Sequence, residues 1–295
     1  MSTVAVIAHS GKSLDGGLPE LRKALERHGV ADPLWFEVPK SSQAPKQLRT
    51  ALDQGADLIF VWGGDGMVQR CVNVVAGTDA TIAIMPAGTA NLFASNLGIP
   101  KHIDAAVEVG LTGERRKLDV GRLNREMFAV MAGVGFDARV IRDASPEMKR
   151  HFGRSAYVWA GAKNLHAKPF GAQIVVDGRD WYEGQASLVL FGNVGNAFAG
   201  VKAFADAHPD DGLLEIGVGS ADGIFQWGRT LARSALSSAE KSRFVHMTKG
   251  RSVRVKLNRK VLYELDGGDR EKKKTFRVDV QPNALTVCVP APQAA

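Results

Sequence analysis

Short apolar runs alternate with helix-like stretches from the N-terminus to about Lys117. Val4–Ala8, Trp35–Val38, Leu58–Trp62 and Ile82–Met85 are of strand length, and the nearly continuous apolarity of the first, third and fourth suits strands buried on both faces. Leu18–His28, Pro45–Asp53, Val68–Val75 and Ala105–Leu111 read as helices between and after them. That alternation predicts a doubly wound parallel sheet. Beyond Lys117 the pattern changes to strands: Leu188–Gly192, Val253–Leu257, Val261–Leu265, Phe276–Val280 and Leu285–Val289. Several alternate with period two, so that Val253, Val255 and Leu257 face a core while Arg254 and Lys256 face water. Two helical stretches, Arg154–Leu165 and Gly223–Ser238, interrupt this β-rich half. The division predicts an α/β domain over residues 1–118 and a β-rich domain over 119–295.

Two of the predicted strands run straight into glycine loops. Leu58–Trp62 enters Gly63-Gly64-Asp65-Gly66, and Ile82–Met85 enters Pro86-Ala87-Gly88-Thr89-Ala90-Asn91. Helix-like sequence follows each loop (Val68–Val75 and Leu92–Leu97). In an open α/β sheet, ligands bind at the carboxyl ends of the strands, so both loops are expected to face one crevice. Glycine lets backbone N–H groups approach phosphate oxygens, and a helix N-terminus adds positive potential. Asp65, among three glycines, suits a Mg²⁺ ion and has no evident packing role, so its loss is expected to change stability little.

These loops resemble those of the diacylglycerol kinase catalytic-domain family, the bacterial lipid-kinase type related to sphingosine and ceramide kinases. Its GGDGT loop reads GGDGM here (63–67), and its P-x-GT-x-ND-F-A-x-x-LGIP segment reads PAGTANLFASNLGIP (86–100). Further matches are Ala132–Ala138, Asp210–Leu214 and Leu285–Pro290, so the resemblance runs from Val4 to Pro290. It implies a diacylglycerol kinase/NAD kinase-like α/β domain followed by a β-sandwich. It also implies an ATP- and Mg²⁺-dependent transfer of phosphate to a hydroxyl of a diacylglycerol-like lipid. Carried onto this chain, the nucleotide side comprises Gly11, Gly63, Gly64, Asp65, Gly66, Met67, Gly88, Thr89 and Asn91. A structural Mg²⁺ would be held by Asp211 with the backbone carbonyls of His208 and Leu213.

Three positions break the family pattern. Met67 replaces the threonine of GGDGT, Leu92 replaces an aspartate, and Gly268 stands where the family's Asp-Gly-Glu places its general base. Asp269 is the nearest stand-in, and a glycine-assisted bulge would have to turn it to the required face; Asp137, Glu264 and Asp266 are alternatives. These losses keep open a nucleotide-binding protein of the same fold with little or no kinase activity, and the shared GGDG loop keeps open an NAD kinase.

Other chemistries are excluded by spacing. Gly11-Lys12-Ser13 resembles the end of a Walker A loop, but the required first glycine falls on Val6. Gly133-Val134-Gly135-Phe136-Asp137-Ala138 has dinucleotide-loop spacing without the acidic residue that a second strand must supply. There is no H-E-x-x-H, C-x-x-C or G-x-S-x-G arrangement. Cys71 and Cys288 lie far apart in apolar sequence, as buried free thiols would.

The 295 residues are 45% hydrophobic and 23% charged, with a net charge of +7 that is compatible with nucleotides, anionic lipid or nucleic acid. No apolar stretch approaches the ~18–20 residues of a bilayer span, and Val4–Ala8 is too short for the apolar core of a signal peptide. The expectation is a cytoplasmic enzyme that contacts the inner membrane face reversibly to reach its lipid, without nucleic acid, a homodimer being left open. Arg139, Arg142, Lys149, Arg150 and Arg154, interleaved with Phe152, Tyr157 and Trp159, suit either anionic headgroups or a solvated helix pair. The Ile224, Trp227, Leu231, Ala235 stripe reads as core packing.

Overall fold

A computed structural model of the chain describes residues 2–135, 169–198, 201–202, 204, 206–219 and 245–291. Phe136–Ala138 with Asp137, the basic–aromatic segment from Arg139 to Trp159, and both expected helical stretches lie outside the described residues. The chain forms two compact units, residues 1–120 with 281–295 and residues 121–280.

The first unit contains β1 (Val4–His9), α1 (Gly17–Arg27), β2 (Leu34–Val38), α2 (Ala44–Asp53), β3 (Leu58–Gly63), α3 (Asp65–Val75), β4 (Thr81–Pro86), α4 (Leu92–Asn96) and α5 (Ile103–Thr112). Its parallel strands lie in the order β2-β1-β3-β4, with Ile7 opposite both Phe36 and Val61, and Val61 opposite Ile84. Chain order reverses between β1 and β3, which makes that point a topological switch. β3 is buried along its whole length, as its unbroken apolar run requires. The helices bury one stripe each: Leu21, Ala24 and Leu25 on α1, and Val68, Cys71, Val72 and Val75 on α3. Both cysteines are buried free thiols, and burial pushes Cys71 up to about 12.

β5 (Glu114–Leu123) leads into the second unit. There follow β6 (Glu126–Phe128), β7 (Met131–Val134), β8 (Phe170–Val176), β9 (Arg179–Ala186), β10 (Leu188–Gly192), β11 (Asn196–Phe198), β12 (Val201–Lys202), β13 (Leu214–Gly219), β14 (Val245–Gly250), β15 (Ser252–Leu265) and β16 (Gly268–Val289). The two stretches expected at 253–257 and 261–265 are one long strand, β15, whose register against β16 shifts twice around Val261. Those irregularities let one strand take different neighbours along its length within one continuous sheet. Its first half pairs with β8 (Val255↔Ile174) and its second with β7 (Leu265↔Ala132). β7 continues through β10 and β13 to β14, and β8 pairs with β9. Phe128, Phe170, Phe191, Ile216, Val255 and Val278 are among the residues that fill the resulting core.

β16 likewise joins two expected strands, 276–280 and 285–289, into one. Its last part packs with the first unit, to which residues 281–295 belong. Val287 lies in register with Ile82 of β4, and Leu285, Val287 and Cys288 are buried. Covering the edge of β4 satisfies backbone groups that would otherwise stay unpaired.

Candidate functional site

The carboxyl ends of β1, β3 and β4 lie side by side in the first unit, so their loops emerge along one edge. β3 ends in Gly63, and Gly64 caps α3 directly: the N–H groups of Met67 and Val68 donate to the Gly64 carbonyl at 2.8 and 3.1 Å. β4 ends in Pro86, and its loop is shaped by Asn91, which is buried and left-handed (φ +49). The Asn91 amide donates to the carbonyls of Pro86 and Gly88 and accepts from the Gly88 N–H, each at 2.8–2.9 Å. The amide holds the loop together from within. On the β1 loop, the Gly11 N–H donates to His9 Nδ1, and the buried Trp62 indole donates to the Lys12 carbonyl at 3.1 Å.

The β3 and β4 loops touch backbone to backbone. A Cβ at position 88 would lie 2.4 Å from Gly64 Cα and 2.5 Å from Asn91 Oδ1, so no side chain fits there. Asp65 fastens the same contact: from the first turn of α3 its Oδ1 accepts the N–H of Phe93, in the first turn of α4, at 3.1 Å. Desolvation holds this carboxyl above the ordinary aspartate range, with backbone N–H groups at 91–93 pulling the other way. Gly11, Gly66 and Thr89 lie exposed on these loops. Met67 is placed differently from the expectation of a nucleotide contact: its side chain is buried, and its N–H is spent on Gly64.

A Gly88→Val change forces the two loops apart. We expect a destabilisation of about 1–3 kcal/mol from overpacking, with weakened ATP binding, read by thermal melting and calorimetric titration. Wild-type ATP affinity in a folded variant would show that the loop contact does not serve the nucleotide.

In the second unit, the β15–β16 hairpin gathers carboxylates. Asp266 and Gly267 (φ +45 and +79) make a two-residue turn closed by Leu265 opposite Gly268. Asp266 is removed from the candidate bases, because its buried carboxylate accepts the N–H groups of Ala129, Val130 and Met131 at 2.8–2.9 Å. The expected bulge at the glycines is absent. Gly268 pairs with Leu265 and Asp269 with Glu264 in regular register, so Asp269 shares a face with Glu264 rather than with position 268. The space above Gly268 belongs to Arg270, whose Nη1 would lie 2.9 Å from an added Cβ. Arg270 is held by Glu126 through three contacts of 2.7–2.9 Å.

Glu264 is buried, its Oε2 accepting the Gly267 N–H at 2.8 Å and its Oε1 finding no partner. Desolvation, and then the charges of Asp266 and Asp269, push it up to about 8. The folded chain therefore holds a proton that the unfolded chain releases near pH 4.5, so stability is greatest below that pH and falls as pH rises to about 8. Glu264→Gln should flatten the dependence between pH 5 and 8 and raise the melting midpoint most at the alkaline end. An unchanged slope would assign it to other groups.

In the acidic turn, Asp211 is exposed and its Oδ1 accepts the Leu213 N–H at 2.9 Å.

Residues 3–123 match the diacylglycerol kinase catalytic domain, and residues 130–289 match the YegS C-terminal NAD kinase β-sandwich-like domain. The chain belongs to the diacylglycerol kinase catalytic-domain family. Curated relatives of this family member include a diacylglycerol kinase of Mycobacterium tuberculosis (strain H37Rv), 32% identical over 182 residues that span 59% of each protein. A diacylglycerol kinase of Bacillus subtilis (strain 168) is 29% identical over 216 residues, 72% of this chain and 71% of that protein. The fold is shared with a crystal structure of a diacylglycerol kinase from Bacillus anthracis (TM-score 0.79, 23% identity, 98% of this chain and 97% of that one). An NAD kinase from Archaeoglobus fulgidus solved with ATP is a more distant neighbour (TM-score 0.55, 12% identity, 97% and 92%).

Two features of this family member escaped the sequence. The Arg270–Glu126 pair joins residues 144 apart and has no local signature. The Asp266 clamp had one, since Asp-Gly between apolar stretches is a hairpin signal.

Proposed function

We propose that this chain is an ATP-dependent lipid kinase. The observation that carries the reading is the backbone contact of Gly64 with Gly88, fastened by Asp65 and Asn91. It brings two glycine loops and the N-terminus of α3 to one edge of a parallel sheet, which suits the phosphates of a nucleotide. Gly63, Gly64, Gly66, Gly88, Thr89 and Gly11 bring backbone to the nucleotide, while Asn91 keeps the second loop in shape. Asp65 holds Mg²⁺; a carboxylate that desolvation drives toward its neutral form is one that a cation would relieve. When bound, that ion neutralises charge on the transferring phosphate.

The acceptor is a hydroxyl of a diacylglycerol-like lipid; Asp269 is its base, acting from the face it shares with Glu264, since the bulge that would turn it to the face of position 268 is absent. The enzyme works at the cytoplasmic membrane face through reversible contact; among the described residues no helix is long and apolar enough to cross a bilayer. A second Mg²⁺, structural, is assigned to the free side of the Asp211 carboxylate with the carbonyls of His208 and Leu213.

The test is transfer of labelled phosphate from ATP to a total lipid extract, with the product identified by mass. Transfer to NAD alone would support the soluble-substrate reading. ATP binding without transfer would support a nucleotide-binding protein, a reading favoured by one observation: Arg270 fills the place of the family's glutamate. Asp269→Asn should lower turnover ~10²-fold with ATP affinity unchanged, since the base acts on the acceptor. Gly268→Glu should not raise turnover, because its carboxylate meets Arg270 first. A gain would restore the family's geometry and remove Asp269 from the mechanism.

A further inference from the structure

We propose that the ammonium group of Lys249 is the resident cation of the acidic turn, holding residues 206–213 to β13 and β14 without a metal ion. Lys249 lies directly opposite Glu215 in the β13–β14 register, and its Nζ sits 2.8 Å from Glu215 Oε1. The same Nζ donates to the backbone carbonyl of Asp206 at 2.9 Å. An ammonium is a compact charge with three donors, so one group joins a strand carboxylate to the loop that leads into that strand. The charges of Asp211 and Asp206 add to that of Glu215 at the same Nζ.

The segment that Lys249 fastens is seated on the sheet at its other end. Phe204 is buried, and its ring takes the space that glycine leaves on two strands. A Cβ at Gly192 of β10 would overlap that ring, and one at Gly217 of β13 would meet it at 3.4 Å. Asp211 closes the turn locally through the Leu213 N–H. Lys249 supplies the positive charge between these anchors. Glu215 requires it, since the residue is buried and removing the partner of a buried carboxylate leaves its charge uncompensated.

A divalent ion meets a poorer set of ligands at this turn. Asp211 offers the free side of one carboxylate, and Glu215 is taken by Lys249. Among the described residues no group of three His, Cys, Asp or Glu side chains is placed to hold a metal ion. The affinity of an oxygen site for such an ion rises with the number of charged ligands, and a neighbouring ammonium repels the ion. The Mg²⁺ assigned to Asp211 therefore adds to a turn that is already held. The role of Lys249 rests on the proposed Mg²⁺ only for where that ion goes, and on no part of the kinase activity.

The test is thermal melting of the full chain without nucleotide, in a metal chelator or in excess Mg²⁺. Every protein carries Asp65→Asn, so that the nucleotide loops do not take the ion. This parent should melt at the same temperature in both solutions. Lys249→Gln should lower the midpoint in chelator by about 2–4 °C. Excess Mg²⁺ should restore part of that loss, the ion binding about tenfold more tightly than to the parent by calorimetry. Lys249→Arg keeps the charge and should stay indifferent to chelator. Glu215→Gln added to Lys249→Gln should leave the midpoint low, because the turn still lacks its cation. Full recovery there would reduce Lys249 to a partner of Glu215 and overturn the proposal. So would a parent that is destabilised by chelator, or a Lys249→Gln variant that melts with the parent. A loss in Lys249→Gln that Mg²⁺ does not repair, or a repair that survives Asp211→Asn, would support the role of Lys249 and count against the Mg²⁺ assignment alone.

Discussion

Asp65→Ala is expected to abolish ATP-dependent phosphate transfer and also to loosen the first unit. Loss of a group that positions charge at the transferring phosphate lowers turnover by ~10²–10³. The structure adds a second effect that the loop sequence conceals. Asp65 Oδ1 accepts the Phe93 N–H and thereby joins the start of α3 to the start of α4. Removing that acceptor, together with a negative charge in the first turn of α3, should cost about 1–2 kcal/mol. The expectation of a small stability change is therefore revised. Asp65→Asn distinguishes the two roles. Its amide oxygen can still accept from Phe93, so the melting midpoint should recover, while Mg²⁺ affinity and turnover should not. Turnover near wild type in either variant would remove Asp65 from the mechanism.

Asp266→Ala should be the most destabilising of these changes. Three buried N–H groups, those of Ala129, Val130 and Met131, lose the carboxylate that accepts them in one step. Each unsatisfied buried donor costs about 1–3 kcal/mol, and we expect a total of about 3–5 after water reaches part of the site. Alanine also sits poorly at φ +45, where aspartate and asparagine are tolerated. A domain's whole stability is of order 5–15 kcal/mol, so the second unit should be close to unfolding at ambient temperature. Asp266→Asn should lose less, since its oxygen can still serve the N–H groups of Val130 and Met131. Denaturant titration reads both. An alanine variant within 1 kcal/mol of wild type would mean that the 129–131 backbone finds other partners.

The residues of the candidate site differ in how far the local sequence reveals them. Gly64 and Gly88 stood out because a glycine loop after a buried strand has a local sequence pattern, and the structure places them in contact. Met67 belonged to the same motif, yet its helical position turns its side chain into the core. Asn91 was legible as a loop residue, whereas its work within the loop became visible only with the carbonyls of Pro86 and Gly88 in place. Around Gly268 the sequence displays carboxylates at 264, 266 and 269 without ranking them. Asp266 is consumed by backbone N–H groups, Glu264 is buried and protonated over much of the neutral range, and Asp269 is left to face the same side as Glu264.

By itself the sequence determined the parallel α/β unit, the β-rich unit and the two glycine loops, because strand burial, helical stripes and loop geometry are set by residues near one another in the chain. Tertiary structure alone decided that β15 and β16 are single long strands, that residues 281–295 return to the first unit, and that Arg270, held by Glu126, occupies the space beside Gly268. Each depends on partners remote in sequence. A strand's length is fixed by the neighbours that take its hydrogen bonds, and a charged group's role by the group that answers it; neither leaves a pattern in the local order of residues.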